Sequence, residues 1–260
     1  MNSTATMKIG FIGVGKITSA IVDGLCTSAI ADVQIYLSPR SEANVQRLTG
    51  KYPKVQRLES NQKVIDQSGI VFIAVRPAIA LGVLQSLVFR ESQIVVSLVP
   101  LLTMDELLQA IKPATSVVRA VPTPTVAQHI GPVLLFHSNE TVTQLFRHLG
   151  EPVHVAEENQ LHVLWTLTGL ITPFFDLLQE LSDWTVANGA DPVTANQYIA
   201  GLFQALCLTA QQSDPVNFKE MAKHAETPNG MNEQAGKEIR EKGVHKAYSA
   251  ASDNLLTRFK

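Results

Sequence analysis

The segment KIGFIGVG, residues 8–15, decides the fold of this chain. An apolar run typical of a buried parallel strand leads directly into Gly13 and Gly15, and a segment with helical spacing follows. A strand, a glycine turn and a helix in this order can bind a pyrophosphate, because backbone N–H groups and the positive helix N-terminus face the same point. The segment therefore predicts a dinucleotide-binding domain. A glycine-rich turn without a ligand is the alternative.

The end of the second predicted strand bears on the choice of cofactor. Residues 33–37 lead into Ser38-Pro39-Arg40-Ser41, where an NAD enzyme usually presents Asp or Glu to the ribose hydroxyls. This segment has no carboxylate, whereas the Arg40 guanidinium can pair with a ribose 2′-phosphate, with Ser38 and Ser41 supplying hydroxyls. The sequence thus predicts NADP(H) in preference to NAD(H). A solvated loop position for Arg40 is the alternative.

Apolar, β-branched runs recur through the first half of the chain, separated by segments with helical spacing. The predicted strands are residues 8–12, 33–37, 70–75, 93–98 and 116–121. This alternation is typical of a doubly wound sheet. Beyond residue 157 no strand is predicted, and Asp191-Pro192 and Asp214-Pro215 indicate helix starts. The predicted fold is α/β, with a Rossmann domain over 1–156 and an all-helical domain over 157–260.

Composition excludes several classes of function. A net charge of -2 without a basic, aromatic-lined segment argues against nucleic-acid binding. The charge-free stretch 159–175 is shorter than the roughly 20 residues of a membrane span and predicts a buried helix instead. The histidines show no metal-ligand spacing, so no metal is predicted. Residues 1–6 lack the features of a secretory signal, and the two cysteines are expected to be buried thiols, which together favour a cytoplasmic protein.

Further segments carry a family resemblance. Residues 9–15, Ser60-Asn61-Gln62 and Ala74-Val75-Arg76-Pro77 are typical of several related reductases and dehydrogenases. The segment Thr227-Pro228-Asn229-Gly230-Met231-Asn232 is more discriminating, because it lies where the pyrroline-5-carboxylate reductase family has Ser-Pro-Gly-Gly-Thr-Thr. In these features the chain resembles that family, whose members use NAD(P)H to make proline, from Met7 to Lys260.

The resemblance implies a helical domain that intertwines with that of a second subunit, in a homodimer or a higher oligomer, and an active site in the cleft between the domains. The residues that we predict to contact the cofactor belong to strand ends and helix starts. They are Gly10, Gly13, Val14, Gly15, Lys16, Ile17, Ser38, Arg40, Ser41, Asn61, Ala74, Val75, Arg76, Pro77 and Pro122.

The predicted substrate contacts are Thr123, Asn229, Gly230, Met231 and Asn232. Asn232 and Thr166 are the candidate catalytic residues, since the Asn232 amide can donate to a substrate nitrogen or oxygen. For Asn229 an ordinary turn residue is the alternative, and for Asn232 a helix N-cap. His162 and His224 lie near the predicted cleft and are candidates for proton transfer, with ordinary surface or core positions as the alternative.

The predicted function is the NADPH-dependent reduction of a small cyclic imine, by default 1-pyrroline-5-carboxylate to proline. Hydride transfer needs little from side chains beyond positioning, which is consistent with a sequence that shows no catalytic triad. Met231 and Asn232 replace the paired threonines of the family. Two alternatives therefore remain open, a reductase of a different imine or a carbonyl on the same scaffold, and an NADP-binding module without catalysis.

Overall fold

The computed structural model describes residues 6–30 and 32–259. The segment 1–5, which contains most of the N-terminal stretch used above to argue against a signal peptide, lies outside the described residues. The chain divides into two compact units. The first ends at Trp165 and also includes Phe259, and the second comprises Thr166–Arg258. The predicted domain boundary at 156/157 precedes the helix that ends the first unit.

The first unit is built on an eight-stranded sheet in the order β3-β2-β1-β4-β5-β6-β7-β8. The strands are β1 (Met7–Ile12), β2 (Val33–Leu37), β3 (Val55–Arg57), β4 (Ile70–Ile73), β5 (Ile94–Ser97), β6 (Ser116–Val121), β7 (Pro132–Phe136) and β8 (Glu151–Val155). Among the described strands, β6 and β7 form the one antiparallel pair, and β8 is parallel to β7, so β7 and β8 run opposite to the other six strands. The chain reverses direction across the sheet at β1 and β4, as in doubly wound folds. The prediction of a Rossmann domain is confirmed.

Helices cover both faces of this sheet. They are α1 (Lys16–Thr27), α2 (Glu42–Lys51), α3 (Asn61–Gln67), α4 (Pro77–Gln85), α5 (Met104–Ala110), α6 (Glu140–Arg147) and α7 (Glu158–Thr166). Their starts follow from local sequence: Ser60 and Asn139 accept backbone N–H groups of α3 and α6, and Thr103 and Glu106 form a capping box on α5. Two apolar clusters, one on each face of the sheet, form the core.

Three strands were missed by the sequence prediction, and an incomplete apolar pattern explains each miss. β3 has three residues, of which only Val55 is buried. β7 begins at Pro132 and alternates between buried and partly exposed positions. β8 begins with Glu151-Pro152 and has no fully buried residue. None of the three has the continuous β-branched run that identifies a central parallel strand. All three lie away from the switch between β1 and β4, so these misses do not change the predicted cofactor site.

The second unit is all-helical, as predicted: no strand occurs among its described residues. A short 3₁₀ turn (Leu167–Leu170) leads into α8 (Ile171–Ala187), α9 (Pro192–Gln211), α10 (Phe218–Ala225), α11 (Met231–Glu241) and α12 (Val244–Leu256). Asp191 caps α9 by accepting the N–H of Thr194 at 2.9 Å, as the Asp-Pro pair predicts. Within this unit α8 packs against α9, and α11 packs against α12.

The second unit leaves a large apolar surface uncovered. The side chains of Trp184 and Tyr198 are 66% and 70% exposed, and Cys207, predicted to be buried, is exposed on α9. The helical stretch Glu158–Ala187 is long and apolar enough to cross a membrane by length and composition alone, and only 11% of its most apolar window is buried. Exposed apolar surface of this extent is typical of a region that contacts another protein or a membrane.

Candidate active site

The glycine turn after β1 has a geometry that only glycine allows at its first position. Gly13 has φ +99°, and a Cβ built there would lie 2.5 Å from the carbonyl oxygen of Ala74, at the end of β4. A side chain would therefore push the turn away from the neighbouring strand. Gly10 has a different role: it is buried, and a Cβ there would collide with Ser68 and Val64 of the α3 region. Its small size lets the helix approach β1.

Three side chains hold the turn in place, and none of them was predicted to do so; Ser38 was predicted to offer its hydroxyl to the 2′-phosphate instead. Ser38 is buried, and its hydroxyl accepts the N–H of Gly13 at 2.9 Å. The Thr18 hydroxyl donates to the Gly13 carbonyl at 2.8 Å, and the Asn44 amide donates to the Val14 carbonyl at 2.8 Å. Thr18 lies three residues after Gly15, where the dinucleotide-binding pattern Gly-x-Gly-x-x-Gly has its third small residue. The turn is thus held from β2, α1 and α2 before any ligand binds.

The start of α1 has the features of an anion site. Gly15 is the N-cap residue in an extended conformation, and no side chain of the described residues caps the helix. The space above Gly15 is open, since a Cβ there would meet nothing within 4 Å. Gly15 and Lys16 are exposed, and the first N–H groups of α1 point toward this opening. The residues present therefore fit a pyrophosphate.

The segment after β2 has the features of a 2′-phosphate site. Arg40 and Ser41 are both exposed. Among the described residues no carboxylate lies within ion-pair distance of Arg40, whereas Arg47 on α2 is engaged by Asp23 at 2.8 Å. Ser41 precedes α2 in a left-handed conformation, with φ +66°, and its hydroxyl does not cap the helix. An unpaired guanidinium and a hydroxyl next to each other in the sequence suit a phosphate.

The sheet brings these segments to one edge. β1, β2 and β4 are parallel neighbours, so residues 13–17, 38–41 and 74–77, which follow them, lie at the same carboxyl-terminal edge. Arg76 is exposed there, and Pro77 opens α4. Asn61 opens α3 and is half-buried. Pro122 and Thr123 follow β6, further along the same edge, and the Thr123 hydroxyl contacts that of Thr125 at 2.7 Å.

A buried charged cluster is centred on Arg119 of β6, a residue that was not among the predicted site residues. Arg119 is fully buried, and its Nη1 donates to Oε1 of Glu158 at the start of α7. Its Nη2 donates to the carbonyl of Pro100 at 2.9 Å, and its guanidinium lies 5.6 Å from the ring centroid of Trp165. Glu158 also accepts the N–H of Met104 at 2.9 Å. The ion pair between Arg119 and Glu158 therefore links the start of α7 to β6 of the sheet.

The position of His162 argues against a role as proton donor. Its Nε2 lies 3.0 Å from Nη1 of Arg119, and because an arginine can only donate, Nε2 accepts and the proton resides on Nδ1. Burial lowers the pKa of His162 below its ordinary value, and the positive charge of Arg119 lowers it further. The ring stacks on Phe259, with centroids 4.7 Å apart. His162 is therefore held neutral in a packed position, and His224 is exposed on α10.

We predict that Arg119→Met destabilises the protein by about 1–3 kcal/mol, because Glu158 and the Pro100 carbonyl lose their donor. Glu158 keeps 27% side-chain exposure, so solvent compensates part of the loss. The pKa of His162 should rise at the same time, since a neighbouring positive charge is removed. Urea unfolding measures the first effect and NMR titration of the His162 ring the second.

Arg240→Met is the matched control for that variant, because the Arg240 side chain is 52% exposed in its ion pair with Glu226, and losing the pair should cost about 0–1 kcal/mol. Equal destabilisation by the two substitutions would contradict the structural role of the Arg119 cluster.

The turn before α11 is held by its own hydrogen bonds. Asn229 has φ +59°, and its N–H donates to Oε2 of Glu233 at 2.7 Å. The N–H of Gly230 donates to the Thr227 carbonyl at 2.8 Å. Gly230, not Asn232, is the N-cap residue of α11. The Asn232 amide donates to the Ala225 carbonyl at 2.9 Å.

Two other predicted site residues differ sharply in exposure. Met231 is 89% exposed, whereas Thr166 is buried at the end of α7. Among the described residues there is no group of three potential metal ligands.

Comparison with known proteins finds a family model for each half of the chain. Residues 8–101 match a family model described as NADP oxidoreductase coenzyme F420-dependent, and residues 158–260 match one described as pyrroline-5-carboxylate reductase dimerisation. These matches, together with the relatives described below, support the assignment of the chain to the pyrroline-5-carboxylate reductase family. The resemblance seen in the sequence is thus confirmed, and the chain is an oxidoreductase with an NAD(P)-binding fold.

Individual members of the pyrroline-5-carboxylate reductase family match over nearly the whole chain. The Escherichia coli (strain K12) enzyme is 28% identical over 267 residues, which cover 96% of each chain. The structure of the Streptococcus pyogenes enzyme superposes with a TM-score of 0.85 at 21% identity, covering 98% of each chain. That of the Plasmodium falciparum enzyme with NADP bound gives 0.79 at 19% identity, again covering 98% of each. At these identities the structures establish the fold.

Proposed function

We propose that this chain catalyses the NADPH-dependent reduction of a small cyclic imine, with 1-pyrroline-5-carboxylate and its reduction to proline as the first candidate. The observation that carries the proposal is the complete, braced glycine turn in a chain whose two halves both match this family's architecture. Arg40, which has no ion-pair partner within the described part of the chain, supports NADPH over NADH. The relatives that share the full length are named for this reaction.

The residues of the first unit would bind and orient the cofactor, which supplies the hydride when bound. The first N–H groups of α1 would hold the pyrophosphate and Arg40 the 2′-phosphate. Asn61, Arg76 and Pro122 would contact other parts of the cofactor at the same edge of the sheet. This fixed geometry supports hydride transfer by positioning rather than by acid or base chemistry of the protein.

On the substrate side we propose that residues 229–232 contact the imine, and that Thr123 is a further substrate contact. The Asn232 amide uses one N–H on Ala225 and keeps a second for the substrate nitrogen. Thr166 would act with it as the second catalytic residue.

A second candidate is the reduction of a different imine or a carbonyl, favoured by the apolar, exposed Met231 where the family has threonine. Steady-state NADPH oxidation with a panel of cyclic imines and keto acids tests the proposal. Tight binding of NADPH without any turnover would instead indicate a binding module.

We also propose that the second unit pairs with that of another copy, in an intertwined homodimer or a higher oligomer. An apolar groove of about 430 Å³ between α8 and α9 includes Trp184, Tyr198 and Leu202. Its lining is exposed in the single chain and would be covered by a partner. The apolar stretch Glu158–Ala187 lies within this dimerisation region, which supports a soluble, cytoplasmic protein rather than one inserted in a membrane.

Leu202→Glu is expected to reduce the molar mass in solution from that of a dimer or larger assembly toward that of the monomer. A charge would be buried without a partner in the apolar interface. Light scattering coupled to size-exclusion chromatography measures the change. Val88→Glu is the control, because Val88 is an isolated exposed apolar residue of the first unit. A monomeric wild-type protein would contradict the proposal.

A further inference from the structure

The loop between β5 and α5, residues 98–103, lies at the same carboxyl-terminal edge of the sheet as the glycine turn. β5 is parallel to β4 on one side and to β6 on the other, so the loop lies between residues 74–77 and residues 122–123, which follow those strands. In a doubly wound sheet the first three strands form one mononucleotide-binding half and the next three form the other. Because Arg40 follows β2, the loop after β5 belongs to the half that would take the nicotinamide.

Arg119 and Glu158 hold this loop at two points. Nη2 of Arg119 donates to the carbonyl of Pro100 at 2.9 Å. Oε1 of Glu158 accepts the N–H of Met104, the first residue of α5, at 2.9 Å. The two side chains also bond to each other through Nη1 of Arg119. A continuous set of hydrogen bonds therefore links Pro100 to Met104 across the loop, and it depends on both side chains.

Stability alone does not explain why an arginine lies at position 119. The residue is fully buried, and its Nε has no hydrogen-bond partner among the described residues. Burying a charged group with an unsatisfied N–H costs free energy, and buried ion pairs are often no more stabilising than apolar side chains of similar size. The guanidinium is, however, the group that can present separate nitrogens to Glu158 and to the Pro100 carbonyl in one fixed plane. Control over the position of Pro100 explains the arginine.

We propose that Arg119 and Glu158 are positioning residues for the nicotinamide half of NADPH, which they serve by fixing the loop 98–103. This inference rests on the proposed function and deepens it, because it gives the second half of the sheet a counterpart to the bonds of Ser38 and Asn44 in the first half. The two side chains act through the backbone of the loop. Loss of their bonds would let the loop move, and small displacements in a positioning element strongly weaken what it holds.

Arg119→Lys tests this inference through two affinities, one for NADPH and one for adenosine 2′,5′-bisphosphate, which lacks the nicotinamide half. Lysine keeps the positive charge, but its single ammonium cannot span Glu158 and the Pro100 carbonyl as the guanidinium does. Calorimetric titration should show NADPH binding weakened by about tenfold and adenosine 2′,5′-bisphosphate binding changed by less than about twofold. A general loss of structure would weaken both ligands together, so the ratio of the two affinities separates positioning from stability.

Arg90→Lys is the matched control. Arg90 also donates to backbone carbonyls, those of Ile65, Asp66 and Ser68. These residues precede β4, so they lie at the opposite edge of the sheet from the loop 98–103. The substitution removes hydrogen bonds of the same kind, and it should change neither affinity.

Glu158→Gln is the second variant, and it is less disruptive because the Glu158 side chain keeps 27% exposure. It should also weaken NADPH relative to adenosine 2′,5′-bisphosphate. An unchanged ratio in folded Arg119→Lys would overturn this inference and leave the proposed function intact. If Arg119→Lys does not fold, an unchanged ratio in Glu158→Gln would overturn it instead. A wild-type protein that binds neither ligand would contradict the proposed function, and the inference with it.

Discussion

Gly13→Ala is expected to weaken NADPH binding by about a hundredfold or more. Gly13 has φ +99°, a conformation that costs an L-residue about 1–3 kcal/mol, and the new Cβ would lie 2.5 Å from the Ala74 carbonyl oxygen. The turn must then move away from β4, and the N–H that bonds to Ser38 moves with it. Fluorescence titration with NADPH measures the dissociation constant.

The matched control for that variant is Gly50→Ala. Gly50 lies in α2 at an ordinary φ with nothing within 4 Å of a new Cβ, so NADPH binding should not change. If circular dichroism shows that Gly13→Ala does not fold, Ser38→Ala is a less disruptive test of the same turn, because it removes only the acceptor for the Gly13 N–H. Wild-type affinity for NADPH in a folded Gly13→Ala variant would contradict the proposed cofactor site. If Gly13→Ala does not fold, wild-type affinity in Ser38→Ala would contradict it instead.

Arg40→Ala is expected to weaken NADPH binding by about ten- to a hundredfold and NADH binding by less than about twofold. A guanidinium bonded to a phosphate contributes about 1.5–3 kcal/mol, and NADH has no 2′-phosphate to lose it. Arg40 is exposed and unpaired among the described residues, so the substitution should not disturb the fold. Calorimetric titration of both cofactors gives the two ratios.

Arg147→Ala is the control for Arg40, since it removes the same charge from α6, which packs against β8 at the opposite edge of the sheet from β2. It should change neither affinity. Raising the ionic strength should weaken NADPH more than NADH in the wild type and lose that distinction in Arg40→Ala. Equal losses of NADPH and NADH affinity in Arg40→Ala would show that Arg40 does not bind the 2′-phosphate.

The parts of the fold that local sequence determines could be predicted. The strand, turn and helix around Gly13 are contiguous, and the Asp191-Pro192 pair caps α9 within one turn. The bonds that brace the turn could not be predicted in this way, because they join residues 25 and 30 positions apart, Ser38 with Gly13 and Asn44 with Val14. The sequence predicts Ser38, at the end of β2, as a ligand of the 2′-phosphate. In the structure its hydroxyl is buried and accepts the N–H of Gly13.

The contacts of Arg119 also could not be predicted, because they too join residues far apart in the sequence. Arg119 and Glu158 are separated by 39 residues, and their pairing depends on how α7 meets the sheet. A single charged residue within an apolar strand, as in Ser116–Val121, was the available signal, because a buried arginine requires a partner. At the turn before α11, the replaced threonines could be recognised in the sequence. The hydrogen bond from the Asn229 N–H to Glu233 could be recognised only in the structure.

The most direct test of the central claim is deuterium transfer from NADPH labelled at C4 of the nicotinamide to a cyclic imine in the presence of this protein. Mass spectrometry of the amine product should find one deuterium on the former imine carbon, with NADP⁺ formed in equal amount. Tight binding of labelled NADPH to the wild-type protein without deuterium in any cyclic amine would contradict the account, because it would show a cofactor site that performs no reduction of imines.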